Sequence, residues 1–93
     1  SSCTIGNSQY STTNSSGTKI YYCVINNEVF RAPDGTYGGS VWAGRKGAIG
    51  KQESNQYGTY EWAIEGNKLV EYKCKNPYGC SGQVQRYVQG YRR

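Results

Sequence analysis

The chain has 93 residues, with 11 basic side chains against 6 acidic ones, a net charge of +5 and no histidine. That length makes one domain, since two folding units would each be too small to close a core. The absence of histidine excludes the commonest general acid–base and the usual catalytic triads.

Residues 1–18 carry no charged side chain and are rich in Ser, Thr, Asn and Gly. They cannot bury enough surface to fold alone, so they read as a peripheral hairpin or an arm tied down at Cys3. Lys19 to Arg31 is the first strong β signal. Ile20-Tyr21-Tyr22-Cys23-Val24-Ile25 and Glu28-Val29-Phe30-Arg31 flank Asn26-Asn27, a pair that suits a two-residue turn at positive φ. That turn sets Cys23 opposite Phe30 and Val24 opposite Val29. Ala32 to Gly58 is punctuated too often by glycine to be a helix. Short strands are expected within it at Val41-Trp42 and Ala48-Ile49.

Tyr60–Glu65 and Leu69–Cys74 form the next hairpin. A three-residue loop, Gly66-Asn67-Lys68, pairs Ile64 with Val70, Trp62 with Tyr72 and Tyr60 with Cys74, and sets Glu61 opposite Lys73. Tyr60, Trp62 and Tyr72 are then core residues. After a turn at Lys75-Asn76-Pro77-Tyr78-Gly79, residues Gln83 to Gln89 read as a last strand. No segment has sustained helical periodicity. The expected fold is all-β or β-dominated, a small antiparallel sheet or barrel with at most one short helix, and residues 1–93 form a single secreted, disulfide-stabilised domain.

Only 35% of the residues are hydrophobic and 10 residues are Tyr, so the core is thin and covalent staples are expected. Cys3, Cys23, Cys74 and Cys80 are an even set that reads as two disulfides formed in an oxidising compartment. The local pairing (Cys3–Cys23 with Cys74–Cys80) is preferred to the nested one (Cys3–Cys80 with Cys23–Cys74). Zinc is not expected, because a structural site needs paired, closely spaced ligands in two clusters. No apolar run reaches the length of a membrane span. Asn14-Ser15-Ser16 is a glycosylation sequon, in keeping with secretion.

Two disulfides use every thiol, and the Gly-rich stretch has no phosphate-loop signature. Among the acids, Glu61 and Glu71 are the one pair placed close enough for glycoside hydrolysis, where carboxyl groups stand about 5–10 Å apart. Beside Lys73 they read more simply as a solvated charge cluster. No catalytic residue, metal ligand or cofactor is expected. The positive balance favours anionic partners. The expected contact is the segment holding Tyr37, Trp42, Arg45, Lys46, Lys51 and Tyr57, where aromatic and basic side chains share a Gly-rich stretch.

Tyr21-Tyr22-Cys23 is similar to the Tyr-x-Cys of ribonuclease-like secreted effectors of powdery mildew fungi. Tyr60-Glu61-Trp62-Ala63-Ile64 resembles the Tyr-Glu-Trp/Phe-Pro-Ile strand of the guanyl-specific ribonuclease family, with Glu61 at the position of the catalytic glutamate. The resemblance implies a secreted virulence protein on a ribonuclease-like scaffold. Ala63 stands in place of the proline and both family histidines lack a counterpart, so the resemblance implies no cleavage of RNA. Tyr72 with Tyr78-Gly79-Cys80-Ser81 is also loosely similar to the Greek-key hairpin of crystallin-type killer toxins. The expected function is therefore a non-enzymatic effector that binds a host protein or an anionic macromolecule, RNA among them. The alternative is a secreted antimicrobial or killer-type toxin acting on anionic cell surfaces.

Overall fold

The computed structural model describes the backbone of residues 9–32, 44–76 and 79–93, and their side chains apart from those of residues 75–83. The described residues hold eight strands and no helix: β1 (Tyr10–Thr13), β2 (Lys19–Ile25), β3 (Glu28–Arg31), β4 (Gly44–Ala48), β5 (Glu53–Asn55), β6 (Gly58–Glu65), β7 (Lys68–Asn76) and β8 (Gly79–Arg92). They lie side by side in the order β4-β3-β2-β1-β8-β7-β6-β5, and neighbours run antiparallel. The sheet curls until β4 meets β6: Gly50 N–H donates to Trp62 O at 2.8 Å and Ile49 bridges Trp62 in parallel. The result is a nearly closed barrel, which removes most of the exposed edge that an open sheet would present.

The β2–β3 hairpin follows the sequence. Asn26 and Asn27 both have positive φ, 51° and 62°, and Cys23 pairs with Phe30 and Val24 with Val29. Asparagine tolerates this left-handed backbone at little cost.

The β6–β7 hairpin differs by one residue. Its turn has two residues, Gly66 and Asn67, with Glu65 opposite Lys68. Gly66 takes the positive φ of 63° that glycine supplies at the first position of a tight hairpin turn. Ile64 therefore pairs with Leu69, Trp62 with Glu71 and Tyr60 with Lys73, which corrects the expected register. A shift of one moves every side chain of a strand to the other face. Tyr72, expected in the core, stands opposite Glu61 on the outer face, and its hydroxyl donates to Glu65. Glu61 and Glu71 now lie on opposite faces, so they form no carboxylate pair, and Glu61 does not face Lys73.

Residues 9–18 are also corrected from their expected peripheral place, and the rest of that N-terminal segment, with Cys3, lies outside the described residues. β1 lies inside the sheet between β2 and β8, and Tyr10 is buried. Asn14 to Thr18 turn the chain back into β2. The last strand is longer than Gln83 to Gln89 and includes the chain from Gly79 to Arg92.

Inward side chains fill the barrel: Tyr10, Ile20, Tyr22, Val29, Trp62 and Leu69, with Val24, Ile49 and Tyr60 packed against them. Burying a Val or Leu side chain contributes about 1.5–3 kcal/mol, and Val29 and Leu69 are fully buried. The Tyr22 and Trp62 rings meet tilted at 49°, centroids 6.1 Å apart, a favoured aromatic geometry. On the outer face of β2 and β3, Cys23 and Ala32 form a second cluster with Tyr21, Ile25 and Phe30. Cys23 and Cys74 are both disulfide-bonded; Cys3 and the Cys80 side chain lie outside the described residues, and the pairing with them.

Candidate functional site

Lys46 owes its direction to a bulge. In the β3–β4 ladder Val29 pairs with Gly47 and Phe30 with Arg45, and Lys46 is left over. An extra residue of this kind bends its strand and re-aims a side chain. Lys46 turns into the barrel mouth, while Arg45 turns away to Glu28 and Glu53.

The mouth is the end of the barrel where β3 finishes and β4 begins. It holds a cavity of about 250 Å³ lined by Tyr22, Arg31, Lys46, Trp62, Glu71, Lys73 and Gln89. A second cavity of about 290 Å³ shares Lys46, Glu71 and Lys73 and adds Asn55, Tyr57, Gly58, Thr59 and Tyr60. Three strands, β3, β4 and β7, thus bring three cations and one carboxylate over an aromatic floor supplied by β2 and β6. Trp62 is 2% exposed, whereas Tyr57 at the rim is 86% exposed.

Within the mouth the side chains orient one another. Tyr22 Oη donates to Gln89 Oε1 at 3.3 Å, and Gln89 Nε2 donates to Glu71 Oε1 at 3.4 Å. Lys73 Nζ stands 3.9 Å from Glu71 Oε1 and 5.4 Å from the Tyr87 ring centroid, a cation–π distance. Burial pushes the Glu71 carboxyl above its ordinary pKa, and Lys73 and Lys46 pull it back down. Burial also raises the Tyr60 phenol. Desolvation strengthens any charge interaction made inside such a mouth. The arrangement suits an anionic group held between the cations, with an apolar or planar part against the aromatic side chains.

Lys46 and Tyr57, expected from the sequence, line this mouth. Lys51 is exposed after the β4 turn. Tyr37 and Trp42 lie outside the described residues, as does the strand expected at Val41-Trp42. Arg45 is engaged in a clamp: its guanidinium holds both Glu53 oxygens at 2.7 and 2.8 Å and Glu28 Oε1 at 3.0 Å. The clamp ties β3, β4 and β5 together across the seam of the barrel. Sequence reasoning missed Arg31, Glu71, Lys73 and Gln89. The signal for Glu71 and Lys73 was Gly66-Asn67, because a two-residue turn puts both on the Trp62 face.

The clamp has a pH signature. The hydrogen bonds from Arg45 hold Glu53 below the usual carboxylate value, and those from Tyr72 and Arg86 do the same for Glu65. A depressed folded-state pKa contributes stability that is present above the unfolded value and lost as pH falls through the folded one. Glu71 is raised, so its contribution is present below the unfolded value and lost as pH rises through the folded one. Denaturant midpoints measured from about pH 7 to about pH 2 are expected to fall on the acid side of about pH 4, and less steeply in Glu53→Gln. An identical acid profile in that variant would remove the clamp as a source of stability.

Among the described residues no helix is long and apolar enough to cross a membrane. No group of three or more His, Cys, Asp or Glu residues there could hold a metal ion. No family model, curated protein or solved structure matches the chain.

Proposed function

We propose that the chain is a secreted, non-enzymatic effector that binds an anionic host macromolecule at the barrel mouth, with single-stranded RNA as the partner that best fits. The observation that carries this reading is the meeting of Arg31, Lys46 and Lys73 beside Trp62, Tyr60 and the exposed Tyr57. Cationic side chains that follow a phosphate backbone and aromatic rings that stack bases are the two parts of sequence-tolerant single-strand recognition. The net charge of +5 favours approach of the same partner. The cysteines and the ribonuclease-like motifs support secretion and an effector role. The lack of histidine supports binding without cleavage, and the barrel mouth surrounds Glu71 with cations.

The test is affinity for a single-stranded RNA oligonucleotide as a function of ionic strength. Wild type is expected to bind with an affinity that falls as salt rises, since each neutralised phosphate releases counterions. Lys46→Ala/Lys73→Ala is expected to weaken binding at least about 10-fold and to reduce the salt slope by about 1 for each phosphate that is no longer neutralised. The oligonucleotide should be recovered uncut. Wild-type binding that the double variant leaves unchanged would move the interface away from the mouth. Cleaved RNA would refute the non-enzymatic reading.

A further inference from the structure

The β1–β2 turn is built around the sequon Asn14-Ser15-Ser16. No other asparagine of the chain is followed at the second position by Ser or Thr. Asn14 Oδ1 accepts from Ser16 N–H at 2.9 Å and from Thr18 N–H at 3.0 Å. The backbone closes the same turn, with Gly17 N–H donating to Asn14 O at 3.0 Å and Asn14 N–H to Thr18 O at 2.9 Å. All the work of the side chain is done by its oxygen. Its amide nitrogen makes no hydrogen bond among the described residues. Ser15, Ser16 and Gly17 are exposed, and a Cβ built on Gly17 meets nothing within 4 Å.

We propose that Asn14 is an N-glycosylation site and that the folded turn accepts the sugar without rearrangement. The acceptor atom is Nδ2. The donor is an oligosaccharide joined through its anomeric carbon to a lipid pyrophosphate. Nδ2 forms a bond to that carbon, the carbon–oxygen bond to pyrophosphate breaks and leaves its electron pair on oxygen, and the amide proton passes to a base of the transferring enzyme. The product remains an amide, so Oδ1 keeps both of its hydrogen bonds and the turn keeps its geometry. The attached sugar is bulky and hydrophilic and needs a route to solvent, and the half-buried Asn14 is followed by the exposed Ser15, Ser16 and Gly17. The inference is independent of the barrel mouth, because no residue of the turn lines either cavity there.

The experiment is secretion of the full chain from a eukaryotic host, followed by intact mass and peptide mapping. Wild type is expected to carry one N-linked glycan, mapped to Asn14 and removed by peptide N-glycosidase. Ser16→Ala is expected to be secreted without it. Asn14→Asp keeps a side-chain oxygen acceptor and loses the glycan, so it should unfold at the same temperature as Ser16→Ala. Asn14→Ala loses the acceptor too, and its Tm should fall by about 4–8 °C. A secreted wild-type chain with Asn14 unmodified overturns the site. A glycan that changes the unfolding temperature by as much as Asn14→Ala does overturns the claim that the turn accepts it unchanged.

Discussion

Trp62→Ala is expected to remove a large share of the domain's stability and to lower its denaturant midpoint accordingly. Removing a buried Trp side chain costs about 3–5 kcal/mol, and a chain of this size has about 5–14 kcal/mol of total stability. Trp62 closes the barrel as well as filling it. Its ring touches Tyr22, its Nε1 donates to Lys46 O at 3.3 Å, and its own carbonyl accepts from Gly50. Gly47 is the counterpart. A Cβ there would lie 2.6 Å from Trp62 Cδ1, 2.7 Å from Nε1 and 3.0 Å from Tyr60, so Gly47→Ala forces the indole to move. Overpacking of this kind costs about 1–3 kcal/mol. Equilibrium unfolding in denaturant checks both. Gly47→Ala should cost less in a Trp62→Phe background, since the smaller ring leaves space for the methyl group. Equal cost in both backgrounds would show that the close approach of Gly47 to the indole does not matter.

Reduction is the second large effect. Cys23 is wholly buried on the outer face of β2, and Cys23 and Cys74 are disulfide-bonded. Each disulfide typically contributes about 2–4 kcal/mol, and the apolar interior is small. Native protein is expected to show no titratable thiol and an intact mass lower than the reduced chain by four protons. A reducing agent should lower the denaturant midpoint by an amount comparable to Trp62→Ala. Thiols that react in the native state, or a midpoint unmoved by reduction, would mean that the barrel stands on side-chain packing alone.

How far the sequence went can be read residue by residue. The all-β class and the β2–β3 register were legible because Asn26-Asn27 and the flanking apolar runs agree. The β6–β7 register was misread because alternation placed Val70, Tyr72 and Cys74 inside. Both faces of β7 are covered at its start, where Leu69 and Val70 are each fully buried, so alternation no longer identifies the inner face. The same strand carries Glu71 and Lys73 into the mouth, a polar interior that binary patterning reads as solvent. β1 was misjudged because its place depends on pairing with β2 and β8, one of them distant in sequence, and not on its own composition. Lys46 was named for its charge, and its direction depends on a bulge that leaves no mark in the sequence.

That bulge makes the mouth vulnerable to a change in chain length. Deleting Lys46 would leave Arg45 opposite Phe30 and Gly47 opposite Val29 as consecutive pairs, an uninterrupted ladder of ordinary antiparallel geometry. The Arg45 clamp and the contact of Gly47 with Trp62 both survive such a ladder. A single-codon deletion can therefore remove one of the three cations and keep the strand register, losing with it the Lys46 carbonyl that accepts from Trp62 Nε1, whereas most deletions inside strands shift the register of all that follows. In-frame loss at this position gives a gene a short mutational route to a barrel of the same register whose mouth is one cation poorer.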